Sequence, residues 1–143
     1  MTSAPADPFD VLLVEDDLAD AMLIGDALSE RAARNLTQVN DGVAALDYLR
    51  DPAKPRPDLI VLDLNMPRMN GRELLAIVKA DEDLRAIPVV VLTTSAAPDD
   101  IIGAYQQHAN AYVTKPVNLD DFNRAVHSID SFYLETTTKL PRV

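Results

Sequence analysis

The sequence contains no cysteine, and this absence excludes several classes of protein at once. A disulfide scaffold, a thiol nucleophile and a zinc site with cysteine ligands all require cysteine side chains. The stability of the fold must therefore come from its hydrophobic core. A chain of 143 residues, of which 48% are hydrophobic, is long enough to bury such a core. A single domain of ordinary size is the expected organisation.

Basic side chains are scarce relative to acidic ones. The chain has 13 lysine and arginine residues against 23 aspartate and glutamate residues, which gives a net charge of -10. A surface with this balance repels both the phosphate backbone of nucleic acids and anionic lipids. We therefore expect no binding to nucleic acid or to a membrane surface, and we expect the partners to be proteins or cations.

Long hydrophobic runs are also absent. No stretch approaches the roughly 20 apolar residues that a membrane-spanning helix needs. Residues 1–8 have neither the basic start nor the apolar centre of a signal peptide, and we expect them to form a disordered leader. The sequence thus predicts a cytoplasmic protein.

What the sequence does contain is a fivefold alternation of strand-like apolar runs and helix-like periodic stretches. The predicted strands are residues 11–14, 36–39, 59–62, 88–92 and 111–114. In the first helix, the side chains expected to face the core are Leu18, Ala21, Met22, Gly25, Leu28 and Ala32. Strands that alternate with helices imply parallel strands joined by right-handed crossovers. The predicted fold is therefore an α/β, (βα)5 doubly wound parallel sheet.

Polar and charged side chains follow four of the predicted strands. They are Glu15 and Asp16, Asp63, Thr93, and Lys115. The carboxyl ends of parallel strands meet at one edge of the sheet, where ligands bind. Three carboxylates in one crevice repel one another unless a divalent cation neutralises them, and oxygen ligands favour Mg2+, with Mn2+ as an alternative. We expect Asp16 and Asp63 to bind the metal directly, the backbone carbonyl of Asn65 to be a third ligand, and Glu15 to act through water.

Each of these residues, taken singly, also has an ordinary structural explanation. The acidic group around Asp16 could start a helix, and Asp63 could cap a turn. Thr93 and Lys115 are common types at strand ends and on surfaces, and Tyr112 is an ordinary packing residue. These separate explanations do not account for the occurrence of all these residues together at four strand ends.

The motifs at these strand ends closely resemble those of the receiver domain of two-component response regulators. The matching segments are Val14-Glu15-Asp16-Asp17, Leu62-Asp63-Leu64-Asn65-Met66-Pro67-Arg68-Met69-Asn70-Gly71, Leu92-Thr93-Thr94-Ser95 and Tyr112-Val113-Thr114-Lys115-Pro116. The resemblance covers about residues 9–130 and leaves residues 131–143 as a C-terminal extension. It implies a flavodoxin-like fold with five parallel strands in the order 2-1-3-4-5.

The resemblance also implies a role for individual residues. Asp63 would be the phosphoacceptor, Thr93 and Lys115 would stabilise the phosphoryl group, and Thr93 and Tyr112 would form the switch. The peptide bond between Lys115 and Pro116 would be cis.

Two further positions tune dephosphorylation in this family, and here they are Asn65 and Ser95. Neither side chain carries a charge. We therefore expect a phosphoryl group that is moderately long-lived.

A protein of this family would accept a phosphoryl group from a sensor histidine kinase and change the surface formed by helix 4, strand 5 and helix 5. Within the family, the chain is most similar to the regulators of bacterial and cyanobacterial phytochromes in three segments, which are residues 51–57, residues 92–95 and the C-terminal extension. We therefore expect the kinase to be a bacteriophytochrome. The short tail predicts a stand-alone receiver. In those relatives the tail contributes to a homodimer, and we expect Phe132, Tyr133 and Leu134 to be exposed for this contact.

Other functions remain open on the sequence alone. The protein could be a phosphate sink or relay, or a scaffold that works without phosphorylation. An Asp-nucleophile phosphatase of the haloacid dehalogenase kind would need an acid where this chain has Asn65. A flavodoxin-like cofactor binder would need a glycine- and hydroxyl-rich loop where this chain has Glu15, Asp16 and Asp17. We expect a signalling switch, with self-catalysed phosphorylation and dephosphorylation only, and not an enzyme.

Overall fold

The computed structural model describes residues 8–30, 32–138 and 140–141, so most of the predicted leader lies outside the described residues. The strands are β1 (Phe9–Val14), β2 (Arg34–Val39), β3 (Leu59–Leu62), β4 (Val89–Thr93) and β5 (Ala111–Thr114). The helices are α1 (Leu18–Ser29), α2 (Gly42–Arg50), α3 (Gly71–Ala80), α4 (Pro98–Gln106) and α5 (Leu119–Ile129), and α5 continues into a π-helical C-terminal segment (Asp130–Thr136). Within the described part of the chain, no helix is both long enough and apolar enough to cross a membrane.

The sheet confirms the predicted topology. Its strands are all parallel and lie in the order β2-β1-β3-β4-β5. Every residue of β3 and β4 is buried, because helices cover both faces of the centre of the sheet. One core lies beneath α2, α3 and α4, and a second lies beneath α1 and α5.

The predicted core face of α1 is wrong in part, although Leu28 is buried as predicted. Leu18 and Met22 are exposed, Met22 to 69%, and the buried residues of this helix are Ile24, Ala27 and Leu28. The helix has apolar side chains on more than one side, so its periodicity does not define a single face. Packing against α5 and the sheet selects the buried side, and it leaves Leu18 and Met22 in solvent.

The C-terminal segment also differs in part from the prediction. Phe132 is 53% exposed, as expected, but Leu134 is only 3% exposed and packs into the core beneath α1 and α5, and Tyr133 packs partly against that core. Asp130 forms a buried ion pair with Arg34 at the start of β2, with 2.8 Å between Oδ1 and Nη2. Leu134 is therefore not available as a dimer contact, because it stabilises its own domain.

Candidate functional site

The carboxyl ends of β1, β3, β4 and β5 bring together the side chains that the sequence predicted. Asp63 is buried, and each of its two oxygens has a different partner. The Thr93 hydroxyl donates to Oδ1 of Asp63 at 2.8 Å, and the Lys115 ammonium donates to Oδ2 at 3.3 Å. A hydroxyl and a cation thus converge on one carboxylate.

The backbone of these residues is held by the sheet itself. The amide of Asp63 donates to the carbonyl of Val14 at 3.0 Å, and the amide of Lys115 donates to the carbonyl of Thr93 at 2.7 Å. The parallel hydrogen-bond pattern therefore continues one residue beyond β3 and β5. The positions of Asp63 and Lys115 are consequences of strand register and not of a flexible loop.

Lys115 has three carboxylate partners. Its ammonium donates to Glu15 at 2.5 Å and to Asp20 at 2.8 Å, in addition to Asp63. Burial alone would lower the pKa of Lys115, but the hydrogen bonds to Asp20 and Glu15 outweigh burial and hold its pKa above the ordinary value. Lys115 is therefore a fixed positive charge in the site.

Asp20 is the member of this group that the sequence did not predict. It lies in the first turn of α1, whereas Asp16 precedes Asp17, the N-cap of that helix. The available signal was its place in the first turn of the helix that follows Glu15 and Asp16, because that turn begins at the same edge of the sheet.

The predicted cis peptide bond between Lys115 and Pro116 is wrong, since this bond is trans in the structure. The trans isomer is favoured by about 0.5–1 kcal/mol before proline. The Lys115 ammonium already reaches its three carboxylates with a trans bond, so the geometry of the site does not require the less favourable isomer.

Glu15, Asp16 and Asp63 form a cluster suited to a cation. One ligand oxygen from each lies within 4.8 Å of the others. Burial raises the pKa of Glu15 to about 7, and the charge of Asp63 also raises it, although the hydrogen bond from Lys115 acts in the opposite direction. Asn65 and Asp16 line one open groove beside this cluster. The backbone N–H of Asn65 donates to Oδ1 of Asp63 at 3.2 Å. The donor set consists of oxygens, as Mg2+ and Mn2+ require.

Tyr112 and Ser95 belong to a second network, which joins the loop after β4 to two helices. The Tyr112 hydroxyl donates to the backbone carbonyl of Ser95 at 2.7 Å, and the Ser95 hydroxyl donates to Asp100 in α4 at 2.5 Å. Arg72 of α3 binds the other oxygen of Asp100 at 2.7 Å. The hydrogen bonds from Ser95 and from Arg72 hold the pKa of Asp100 below its usual range. Arg72 and Asp100 were not predicted, because nothing in their spacing links α3 to α4.

The loop between Asp63 and α3 is shaped by a close backbone approach. A Cβ atom at Gly71 would lie 2.2 Å from the carbonyl oxygen of Asp63, so a side chain at this position would displace the loop. The amide of Gly71 donates to the carbonyl of Leu64 at 3.0 Å. Arg68, which has a positive φ of 58°, binds Asp41 at the start of α2 with 2.6 Å between Nη2 and Oδ2. The loop that carries Asn65 is therefore closed by a hydrogen bond between its ends and held against α2 through Arg68.

Comparison with known families gives one match that covers most of the chain. The sequence model described as "Response regulator receiver domain" matches residues 11–127. Among curated proteins, the chain is 47% identical over 133 residues to the response regulator Rcp1 of Synechocystis sp., which covers 90% of each chain. It is 45% identical over 132 residues to the probable methanogenesis regulatory protein FilR2 of Methanothrix harundinacea, with 90% of this chain and 85% of the relative covered.

Solved structures agree with the sequence matches. The Mn2+-bound form of the response regulator Rcp1 has a TM-score of 0.89 and 45% identity, and the match covers 94% of this chain and 100% of the other. The phosphorylated cyanobacterial phytochrome response regulator RcpA has a TM-score of 0.90 and 43% identity, with the same coverage of 94% and 100%.

Proposed function

Because the chain belongs to the response regulator receiver family, we propose that Asp63 accepts a phosphoryl group from a sensor histidine kinase. The observation that carries this proposal is the environment of the Asp63 carboxylate. It lies where four strand ends meet, and it is bound by a hydroxyl through one oxygen and by an ammonium group through the other. Similarity to Rcp1 and RcpA supports a kinase of the phytochrome type.

In the proposed transfer, an oxygen of Asp63 forms a bond to phosphorus while the bond from phosphorus to the kinase imidazole nitrogen breaks. The nitrogen keeps the electron pair of the broken bond. Phosphoryl transfer needs mainly positioning and neutralisation of charge. Thr93 can turn its hydroxyl from Asp63 to a phosphoryl oxygen, and Lys115 can place its charge beside another, since both already lie within 3.3 Å of the carboxylate.

The same site would hold a divalent cation. We propose Mg2+, with Mn2+ as the alternative, bound by Asp16, Asp63 and the backbone carbonyl of Asn65, with Glu15 acting through water. The clustering of three carboxylates supports this assignment, and a similar protein, Rcp1, has a Mn2+-bound form. Such an ion, when bound, would neutralise the negative charge that the phosphoryl oxygens and the carboxylates bring together.

The output of the switch would pass through Thr93 and Tyr112. A phosphoryl group on Asp63 adds acceptor oxygens that compete for the Thr93 hydroxyl. Thr93 lies two residues before Ser95, whose backbone carbonyl accepts a hydrogen bond from Tyr112. A shift of Thr93 would therefore move this carbonyl and change its hydrogen bond with Tyr112. The surface formed by α4, β5 and α5 would change as a result.

Exposed apolar side chains beside the site offer a docking surface for the kinase. Leu18 and Met22 of α1 are exposed, and so are Val117 and Leu119 after β5. The last two line a cleft together with Lys115 and two residues of α1. A partner helix that covered this surface would bury apolar area and bring its phosphohistidine to Asp63.

The proposal is tested by phosphorylation with a small donor. Wild type, Asp63→Asn and the control Asp47→Asn, which changes an exposed acid in α2, are incubated with Mg2+ and acetyl phosphate. Intact-mass spectrometry should show one added phosphoryl group on wild type and on Asp47→Asn, and none on Asp63→Asn. Equal labelling of all three proteins would refute Asp63 as the acceptor.

A further inference from the structure

Each of the three N–H donors of the Lys115 ammonium has an acceptor in the structure. An ammonium group carries three N–H donors. They are directed to Glu15, Asp20 and Asp63, at 2.5, 2.8 and 3.3 Å. Phosphorylation moves the charge of Asp63 to the phosphoryl oxygens, and Lys115 can give them more than the one donor that it now directs to Asp63 only if Glu15 or Asp20 gives way.

The three acceptors differ in how readily they can be released. The side chain of Glu15 is 1% exposed and that of Asp63 is 9% exposed, whereas that of Asp20 is 28% exposed. A carboxylate released into water recovers its hydration, and a buried one does not. The second oxygen of Glu15 is held by another hydrogen bond, since it accepts from the backbone N–H of Asp17 at 3.2 Å. Of Glu15 and Asp20, Asp20 is thus the partner that Lys115 can lose at the lower cost.

The backbone of Asp20 is fixed, so the release needs only a rotation of the side chain. Asp17 is the N-cap of α1, and its side chain accepts from the amide of Asp20 at 3.0 Å. The Asp20 carboxylate lies at the edge of the cleft that Lys115 shares with Val117 and Leu119. It can therefore move from the ammonium to solvent without disturbing the helix.

We propose that Asp20 is a positioning residue that holds the Lys115 ammonium in the unphosphorylated site and is exchanged for a phosphoryl oxygen when Asp63 is phosphorylated. This inference rests on the proposed function and deepens it. Since the contact between Asp20 and Lys115 has to break, Asp20 favours the unphosphorylated state. Its removal should make the phosphorylated state easier to reach.

Beryllofluoride, which mimics a phosphoryl group on aspartate, provides the test. Its binding is titrated by fluorine NMR at saturating Mg2+ for wild type, Asp20→Asn and Asp26→Asn. Asp26 is an exposed acid of the same helix, and its replacement makes the same change of net charge away from Lys115. Asp20→Asn should bind beryllofluoride about fivefold more tightly than wild type, since a partly exposed ion pair contributes modestly. Asp26→Asn should bind like wild type.

A Lys115→Ala background separates positioning from a general effect of charge. If Asp20 acts through Lys115, then adding Asp20→Asn to Lys115→Ala should leave beryllofluoride affinity unchanged. An unchanged or weakened affinity in the single variant Asp20→Asn, or the same gain in the presence and absence of Lys115, would overturn the inference. Failure of wild type itself to bind would instead overturn the proposed function, and this inference with it.

Discussion

The carboxylates around the site show how the surroundings of a residue decide its chemistry. Glu15, Asp41 and Asp63 are all buried and all follow a strand. Burial raises the pKa of Glu15 to about 7, whereas the hydrogen bond from Arg68 lowers the pKa of Asp41. Asp63 shares its two oxygens between Thr93 and Lys115. Three residues of similar type thus have three different roles.

Asp41 is expected to stabilise the fold in two ways that substitutions can separate. Its side chain caps α2 by accepting from the amide of Ala44 at 2.9 Å, and it binds Arg68. Asp41→Ala removes both contacts and should lower the free energy of unfolding by about 1–2 kcal/mol. Asp41→Asn keeps the cap, because asparagine is also a good N-cap, and at neutral pH it should cost less than Asp41→Ala.

The contribution of the Asp41 charge should depend on pH with a defined sign. The hydrogen bond from Arg68 holds the pKa of Asp41 in the fold below its ordinary value of 3.8, so the stabilisation is present above that value and is lost as pH falls through the folded pKa. Urea unfolding should therefore show a smaller difference between wild type and Asp41→Asn at about pH 3 than at about pH 7. The same difference at both values would contradict the role assigned to Arg68.

The lifetime of the phosphoryl group is expected to depend on Asn65. Asn65→Asp places a carboxylate next to Asp63 that can accept a proton from an attacking water, and it should speed phosphate release by about tenfold or more. Ser95→Glu is the less specific change, because Ser95 contacts Asp100 and a new charge there would also disturb Arg72. Phosphate release is measured for wild type and Asn65→Asp, with Ser95→Ala as an uncharged control. Identical rates for wild type and Asn65→Asp would remove this explanation.

At the level of elements, strands were more predictable than helix faces. The run 59–62 coincides with β3, because a continuous apolar run bounded by turn residues marks a covered strand. The run 111–114 coincides with β5, an edge strand that is only partly buried. For α1, the sequence placed Met22 in the core, whereas the structure exposes it and buries Ile24. A helix with apolar residues on several sides can rotate about its axis without changing its sequence pattern, so only its neighbours decide which side is buried.

The C-terminal segment should contribute to the stability of the domain through one side chain. Leu134→Ala removes a buried side chain and should lower the free energy of unfolding by about 2–5 kcal/mol. Phe132→Ala removes a side chain of similar character that is 53% exposed, and it should cost much less. Chemical denaturation of both variants measures the difference. Equal losses would show that Leu134 is not part of the core in solution.

At the level of the whole molecule, the exposed ring of Phe132 supports a proposed homodimer. Phe132 makes an edge-to-face contact with Tyr133, with 5.0 Å between ring centroids, and presents its remaining surface to solvent. The net charge of -10 opposes association of two copies, so the dimer should be favoured by added salt.

Sedimentation velocity tests this proposal over a range of protein and salt concentrations. Phe132→Glu should remain monomeric, whereas Met22→Glu, which changes an exposed apolar residue of α1, should associate like wild type. A monomeric wild type at high protein and salt concentration would rule out the dimer.

The sequence by itself determined the order of elements and the residues that meet at the edge of the sheet. Asp63, Thr93 and Lys115 converge because parallel strands joined by crossovers place their carboxyl ends together, whatever the details of packing. Once the strands and their order are known, the positions of these three residues in the fold follow from the topology of the sheet.

Only the tertiary structure decided which side chains from separate elements touch. Asp20 binds Lys115, Arg72 binds Asp100, and Arg34 binds Asp130 across gaps that no local pattern spans. The rotation of α1 and the burial of Leu134 likewise depend on how whole elements pack. Such contacts arise from the sum of many packing interactions between distant segments, and the spacing of residues along one segment does not encode them.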